Sequence, residues 1–119
     1  TLEVEVDEDL LARVIENVLD NGMRYTPTGG RLRVDGAASD GQVELRIANT
    51  GPAIPAAVRR VVFEKFGQAT QATGRMNLGL GLYFCRLAME AHGGRIWVDE
   101  APQFPTVFHL AFPVAPPQR

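Results

Sequence analysis

The 119 residues hold one cysteine, one lysine, one tryptophan and two histidines, so the side chains most often read as chemistry are scarce. Cys85 alone cannot form an internal disulfide or a cysteine-rich zinc site. No apolar run approaches the roughly 18 residues needed to cross a membrane as a helix. Positive charge is not in excess. Twelve Lys and Arg stand against fourteen Asp and Glu, for a net charge of -2 without a basic run. That balance argues against nucleic-acid binding by bulk charge. No signal peptide opens the chain, and neither does Met, so it reads as a piece cut from something longer. What is present is 45% hydrophobic, too apolar for disorder and enough for one core but not two. A single domain over 1–119 is expected, with a frayed proline-rich tail at 113–119.

Periodicity divides the chain. Residues 1–6 alternate apolar and polar, the pattern of a half-buried strand. Three acidic or capping residues then precede a helical stripe of Leu10, Leu11, Val14, Ile15, Val18 and Leu19, which predicts a helix over 8–24. Alternating runs at 31–35 and 42–48 predict a hairpin with a loop at 36–41. A turn at 50–55 leads into a short helix to about 63, with Pro55 at its first position. Residues 67–77 are small, polar and aperiodic, which predicts a flexible loop, and loops of that length are often functional. A third helix opens at Gly79 and closes at Gly93 as a left-handed cap. Strands at 95–99 and 106–112 complete the chain. The order predicts an α/β (α+β) two-layer sandwich: a mixed sheet with three helices on one face.

Four segments carry chemistry beyond packing. Asn17, Asn21 and Arg24 share one face of the first helix, being spaced i, i+4 and i+7. An amide oxygen suits a hard cation such as magnesium, and an arginine one turn on suits phosphate. The same face also reads as a solvated polar surface. The run Gly79, Leu80, Gly81, Leu82 opens a helix, whose free N–H groups and dipole attract phosphate; it also reads as a flexible entry to a tightly packed helix. The turn from Asn49 through Ile54 follows a strand directly and has the makings of a base-holding loop. The chain's four asparagines (Asn17, Asn21, Asn49, Asn77) all lie in or beside these segments, and Lys65 sits just before the long loop. Taken together they outline a nucleotide pocket. His92 and His109 lack a following acid and read as structural, as does Cys85, and Trp97 reads as core.

From Asp7 to Pro113 the chain resembles the catalytic ATP-binding domain of bacterial sensor histidine kinases, in the superfamily with gyrase, MutL and a heat-shock chaperone. The block from Glu16 to Pro27 is similar to that family's N box, and Asn49 to Pro55 to its first glycine box. Val62 to Gln68 resembles the F box, Asn77 to Leu82 the second glycine box, and Glu90 to Gly94 the close of the following helix. The resemblance implies a Bergerat-type fold with a five-stranded sheet and a mobile ATP lid. It implies that Asn21 ligates Mg2+ and that Asn17 assists. Arg24 and Lys65 would meet phosphate, with Asn21 and Lys65 the catalytic pair, and Tyr25 would stack near adenine. Gly51, Ala53, Ile54 and Phe66 would line the nucleotide. Gly79, Leu80, Gly81 and Leu82 would present N–H groups, and Thr106, in a Thr106-to-Phe108 pattern, would help hold the base.

The implied activity is that of a protein-histidine kinase domain. It binds Mg-ATP and donates the γ-phosphate to a histidine on a separate dimerisation domain that this chain lacks. Implied partners are that phosphoacceptor domain and a downstream response regulator. The parent protein would be a cytoplasmic or membrane-anchored homodimer, the isolated domain a monomer in the cytoplasm, without nucleic-acid or direct membrane contact. Two departures qualify it. Asn49 stands where the family has an Asp that accepts from the adenine amino group, a loss of about 1–2 kcal/mol, on the order of tenfold in affinity. Ala53 and Asn77 replace glycines, and a positive φ at Ala53 would strain the turn. These changes keep open a second reading, a degenerate nucleotide module that signals through protein contacts. A third, an ATPase or serine kinase of the same superfamily, fits the F box less well.

Overall fold

The computed structural model describes residues 3–67 and 80–114. Helix α1 spans Glu8–Tyr25. The Asp7 side chain accepts from the Leu10 N–H at 3.0 Å, and Glu8 and Asp9 fill the first turn while Arg24 sits in the last. Each charge thus lies at the dipole end that favours it. The buried stripe runs Val14, Val18, then Asn21 and Gly22, so an apolar face turns polar one turn before the helix stops. Pro27 drives the residue before it out of helical backbone, and Thr26 is extended (φ -85°, ψ 123°).

Strands β1 (Leu32–Ser39) and β2 (Gln42–Asn49) form a hairpin in register from Leu32 opposite Asn49 to Ser39 opposite Gln42. The expected loop at 36–41 shrinks to Asp40 and Gly41, both at positive φ (32° and 78°). Two such residues match the twist of a tight hairpin, so the strands continue through the small residues to the turn itself. Strands β3 (Arg95–Ala101) and β4 (Phe104–Pro113) form a second hairpin, with an irregularity between Asp99 and Ala101. The sheet order is β1-β2-β4-β3, and every neighbouring pair is antiparallel.

Among the described residues the sheet therefore has four strands and not five, and it is not mixed. Residues 3–6, within the segment expected as a first strand, make no ladder among the described residues; Val4 and Val6 pack against the core from irregular backbone. Their alternation reports which side faces inward rather than strand pairing. The expected short helix resolves into two 3-10 turns, Ala56–Val58 and Val61–Phe63. Helix α2 spans Gly81–Ala91, and Gly93 (φ 72°) closes it as expected. The expected loop from Gly67 and the tail lie mostly outside the described residues.

Both α-helices and the 3-10 turns pack on one sheet face. Val14 and Val18 of α1 meet Leu82, Cys85 and Met89 of α2 over Ile47, Phe108 and Leu110, all essentially inaccessible. Phe63 meets Phe108 edge-on at 6.1 Å, a favoured aromatic geometry. The other face carries a small cluster of Ala48, Phe104 and Val107, with Arg31 and Arg33 over the Phe104 ring. Trp97, expected in the core, lies on this outer face and stacks flat on His109 at 4.8 Å. The two His109 ring nitrogens sit 2.6 Å from Glu44 and 2.7 Å from Asp99.

His92 joins the two helices. Its Nε2 accepts from the Asp7 N–H at 2.8 Å, and its Nδ1 lies 2.7 Å from the Ala88 carbonyl. An N–H only donates and a carbonyl only accepts, so the proton is on Nδ1. The start of α1 is thereby tied to the end of α2. His92→Ala should cost about 1–2 kcal/mol and lower the melting temperature by several degrees; an unchanged thermal transition would show that the tie contributes nothing.

Cys85 is fully buried, with Sγ 3.6 Å from the Val14 carbonyl, and burial pushes its thiol from the ordinary 9.0 up to about 12. The folded thiol keeps its proton where the unfolded one ionises, so its contribution is full below pH 9 and is lost as pH rises toward 12. A thiol reagent at pH 8 should leave the native chain unmodified and label it in denaturant. Rapid native labelling would contradict this burial.

Candidate functional site

Three elements end at the same place. Asn21 and Tyr25, one turn apart, project from the last turns of α1. β2 ends at Asn49, whose direct cross-strand partner on β4 is Thr106, so the two side chains share a face. Helix α2 contributes Leu82 from its first turn. With Pro52, Ala53, Ile54 and Pro55 of the turn, and Val58 and Val62 of the 3-10 segment, these residues line a cavity of about 220 Å³. Its walls are mostly apolar. Asn21, Asn49 and Thr106 are the buried polar residues among those described, 3–8% exposed, and all three line this cavity.

The turn over the cavity is tightly held. Asn49 Oδ1 accepts from the Gly51 N–H at 2.8 Å, and Thr106 Oγ1 donates to the Pro52 carbonyl at 3.0 Å. Arg59 Nε donates to the Ile54 carbonyl at 3.0 Å. Thr50 and Arg31 exchange two bonds, one of them through the Thr50 hydroxyl. A Cβ on Gly51 would lie 2.6 Å from the Tyr25 carbonyl oxygen, so only glycine fits where the turn crosses the end of α1. Ala53 carries no such constraint. Asp40 and Phe66 are the described non-glycine residues at positive φ, so the alanine introduces no backbone strain.

A second hollow of about 240 Å³ lies beside the outer side of α1, lined by Arg13, Glu16, Asn17, Asp20 and Phe84. Asn17 Nδ2 donates to the Arg13 carbonyl at 2.9 Å, and its Oδ1 faces the start of α2, where a Cβ on Gly81 would approach within 2.9 Å. No side chain caps that helix start at Leu80. The amide oxygen of Asn17 and the first turn of α2 thus come together.

Of the expected site residues, the structure gathers Asn21, Tyr25, Asn49, Ala53, Ile54, Leu82 and Thr106 around the cavity. Gly51 is buried beneath the turn. Asn17, Leu80 and Gly81 cluster at the α2 start, outside the cavity lining. Arg24 is exposed at the end of α1. Lys65 and Phe66 are exposed and off the cavity, the ammonium 5.5 Å from the ring centroid and Phe66 at φ 64°. Gly79 and Asn77 lie outside the described residues. Phe108 is core, packed on Phe63. Pro52 and Pro55 lie in the expected turn and Val62 opens the expected F box, but sequence reasoning gave none of them, nor Val58, a place in the cavity wall; the i, i+4 spacing of the two valines is the available signal, and it reads equally as helix packing.

The sequence matches the profile of the histidine kinase-, DNA gyrase B- and HSP90-like ATPases over residues 6–116. It is 38% identical over 112 residues to the adaptive-response sensory kinase SasA of Microcystis aeruginosa, covering 93% of this chain and 29% of that protein. The chain therefore spans under a third of the length of that curated relative. Among solved structures, the mycobacterial sensor histidine kinase MprB superposes with a TM-score of 0.82 at 37% identity, covering 97% of this chain and 77% of that one. Full-length ShkA, solved in complex with AMPPNP, gives 0.82 at 26% identity, covering all of this chain and 24% of that one.

The geometry at Gly51 is testable on its own. Gly51→Ala should destabilise the chain by about 1–3 kcal/mol in urea unfolding. Gly36→Ala is the control, because its Cβ would meet only the Glu44 carbonyl at an ordinary 3.6 Å. Equal effects of the two substitutions would refute the close crossing.

Proposed function

The chain belongs to the histidine kinase-, DNA gyrase B- and HSP90-like ATPase family, on its histidine-kinase side, and we propose that its cavity binds a purine nucleoside triphosphate whose γ-phosphate goes to a histidine on another domain. The carrying observation is the convergence of Asn21, Asn49 and Thr106, the buried polar residues among those described, on one apolar-walled cavity. Buried polar side chains cost stability unless they are bonded, so three at one cavity point to a polar ligand.

In this reading the base lies among Tyr25, Ile54 and Leu82, with its edge at Asn49 and Thr106. Asn21 holds a magnesium ion through its side-chain oxygen, and Asn17 assists at the cation or the phosphates. The donor set suits that ion: amide oxygens are hard ligands, and magnesium takes few protein ligands, keeping waters and substrate phosphates for the rest. When bound, the ion would neutralise charge on the transferring phosphoryl group. The N–H groups of Leu80, Gly81 and Leu82 at the uncapped start of α2, and of Gly79 before them in sequence, meet the phosphates. Arg24 and Lys65 add positive charge from flexible side chains, and Phe66 flanks the site.

No acceptor is at hand in the described chain. Both nitrogens of His92 and both of His109 already face protein partners. The phosphoacceptor histidine belongs to a separate domain of the same parent protein, a homodimer. A response regulator takes the phosphate onward, and the domain itself is a monomer working in the cytoplasm. Residues 1–119 form one catalytic unit.

Calorimetric titration with ATP, with and without magnesium, tests the reading. Binding should strengthen with magnesium, and Asn21→Ala should remove that gain at a cost of roughly tenfold or more in affinity. The chain alone should not become phosphorylated. Absence of binding at millimolar ATP would sink the proposal.

A further inference from the structure

Resting on that nucleotide reading, the build of one cavity wall points to a residue that positions the base without touching it. The stretch from Pro52 to Val62 supplies that wall. It belongs neither to the sheet nor to an α-helix, and its regular structure is two 3-10 turns of three residues, Ala56–Val58 and Val61–Phe63. A single 3-10 turn has poor hydrogen-bond geometry and little stability of its own. Pro52 and Pro55 lack the N–H that would brace it, and no side chain caps the first turn at Pro55. Such a wall needs support from outside its own backbone.

Two side chains give it. Thr106 holds one end, at the Pro52 carbonyl. Arg59 holds the middle: its Nε donates to the Ile54 carbonyl at 3.0 Å, closing a clasp around the first 3-10 turn. Ile54, Pro55 and Val58 lie within the clasp and line the cavity, whereas Arg59 itself does not line it. The other arm of the guanidinium reaches β3, with Nη2 3.6 Å from Glu100 Oε1. Glu100 is mostly exposed, and such a pair adds little stability, so its part is to aim the guanidinium. The bond to Ile54 is the shorter and has a charged donor.

The peptide group is planar, so fixing the Ile54 carbonyl fixes the plane that joins Ile54 to Pro55. Pro55 continues from that plane at φ -56°, a value set by its ring. The Ile54 side chain on one side of the plane and the turn that carries Val58 on the other are thereby oriented together. We infer that Arg59 is a positioning residue for the nucleotide: it holds Ile54, Pro55 and Val58 against the base by way of the Ile54 carbonyl. The effect is the same whichever way round the base lies. Coupling between a bond and a ligand is reciprocal, so a bound nucleotide strengthens the clasp in turn.

Two substitutions of matched length separate the bond from the bulk of the side chain. Arg59→Gln keeps an N–H donor at the place of Nε and loses the arm toward Glu100. Arg59→Met reaches the same place with no donor. In calorimetric titrations of the whole chain with ATP and magnesium, Arg59→Met should weaken binding roughly tenfold, and Arg59→Gln should recover most of that loss. Thermal unfolding of each variant without nucleotide is measured beside it; affinities that follow the melting temperature rather than the donor overturn the inference. So does wild-type affinity in Arg59→Met, or Arg59→Gln as weak as Arg59→Met, and in both cases nucleotide binding stands. If either variant does not fold, the wild type decides through the Arg59 Nε–H signal in proton–nitrogen NMR spectra. Saturation with ATP and magnesium should slow its exchange with solvent, and unchanged exchange overturns the inference. A wild type that does not bind ATP overturns the nucleotide reading, and the inference with it.

Discussion

Everything at the site depends on the crossing of Gly51 over the end of α1. The turn after β2 passes so close to the Tyr25 carbonyl that no Cβ fits between them. That contact fixes the distance between a helix end and a strand end that the sequence separates by a whole hairpin. Around it, the Asn49 and Thr50 side chains bond to backbone rather than to each other. Backbone bonding by short polar side chains is a local, low-entropy way to shape a turn. The result is a rigid rim over a cavity, on a scaffold whose core lies further along the same sheet face.

The two faces of the sheet handle polarity differently. On the outer face, polar, charged and aromatic side chains pair with one another directly: Arg46 with Asp35, His109 with Glu44 and Asp99, Trp97 with Arg95 and His109. Such pairs near water add little stability each. On the inner face the polar groups are few and buried, and each is only partly used by the fold. Asn49 gives its oxygen and keeps its NH2; Thr106 gives its proton and keeps its lone pairs. A purely structural role would spend the whole group. Half-used groups around a cavity are what a binding site requires before its ligand arrives, and water can meet them meanwhile.

Helical features were the most legible. The apolar stripe of α1, its acidic start, the Gly93 cap and the shared face of Asn17 and Asn21 all follow from a 3.6-residue period and from capping chemistry, which are local. The strands were read less well for equally physical reasons. Alternation in residues 1–6 reports burial, and burial of Val4 and Val6 occurs without a ladder. In the hairpin the small residues after Asp35 look like loop, yet Asp40 and Gly41 carry the turn alone and let the strands run on. Hydrophobicity points Trp97 to the core, but an indole also stacks well on a polar sheet face, and register decides its side. The cavity valines, Val58 and Val62, carry a pattern that packing alone would also produce.

The departures from the family pattern look, in sequence, like steps toward a dead pocket. The structure separates them. Ala53 sits at ordinary φ, so losing that glycine costs the backbone nothing. Asn49 keeps the bond that shapes the turn, so the amide does the structural work of that position. A pocket released from binding would have no reason to keep three polar side chains buried around a cavity, since filling it with apolar groups would be more stable. The retained Asn21, Asn49 and Thr106 therefore argue against a disused pocket.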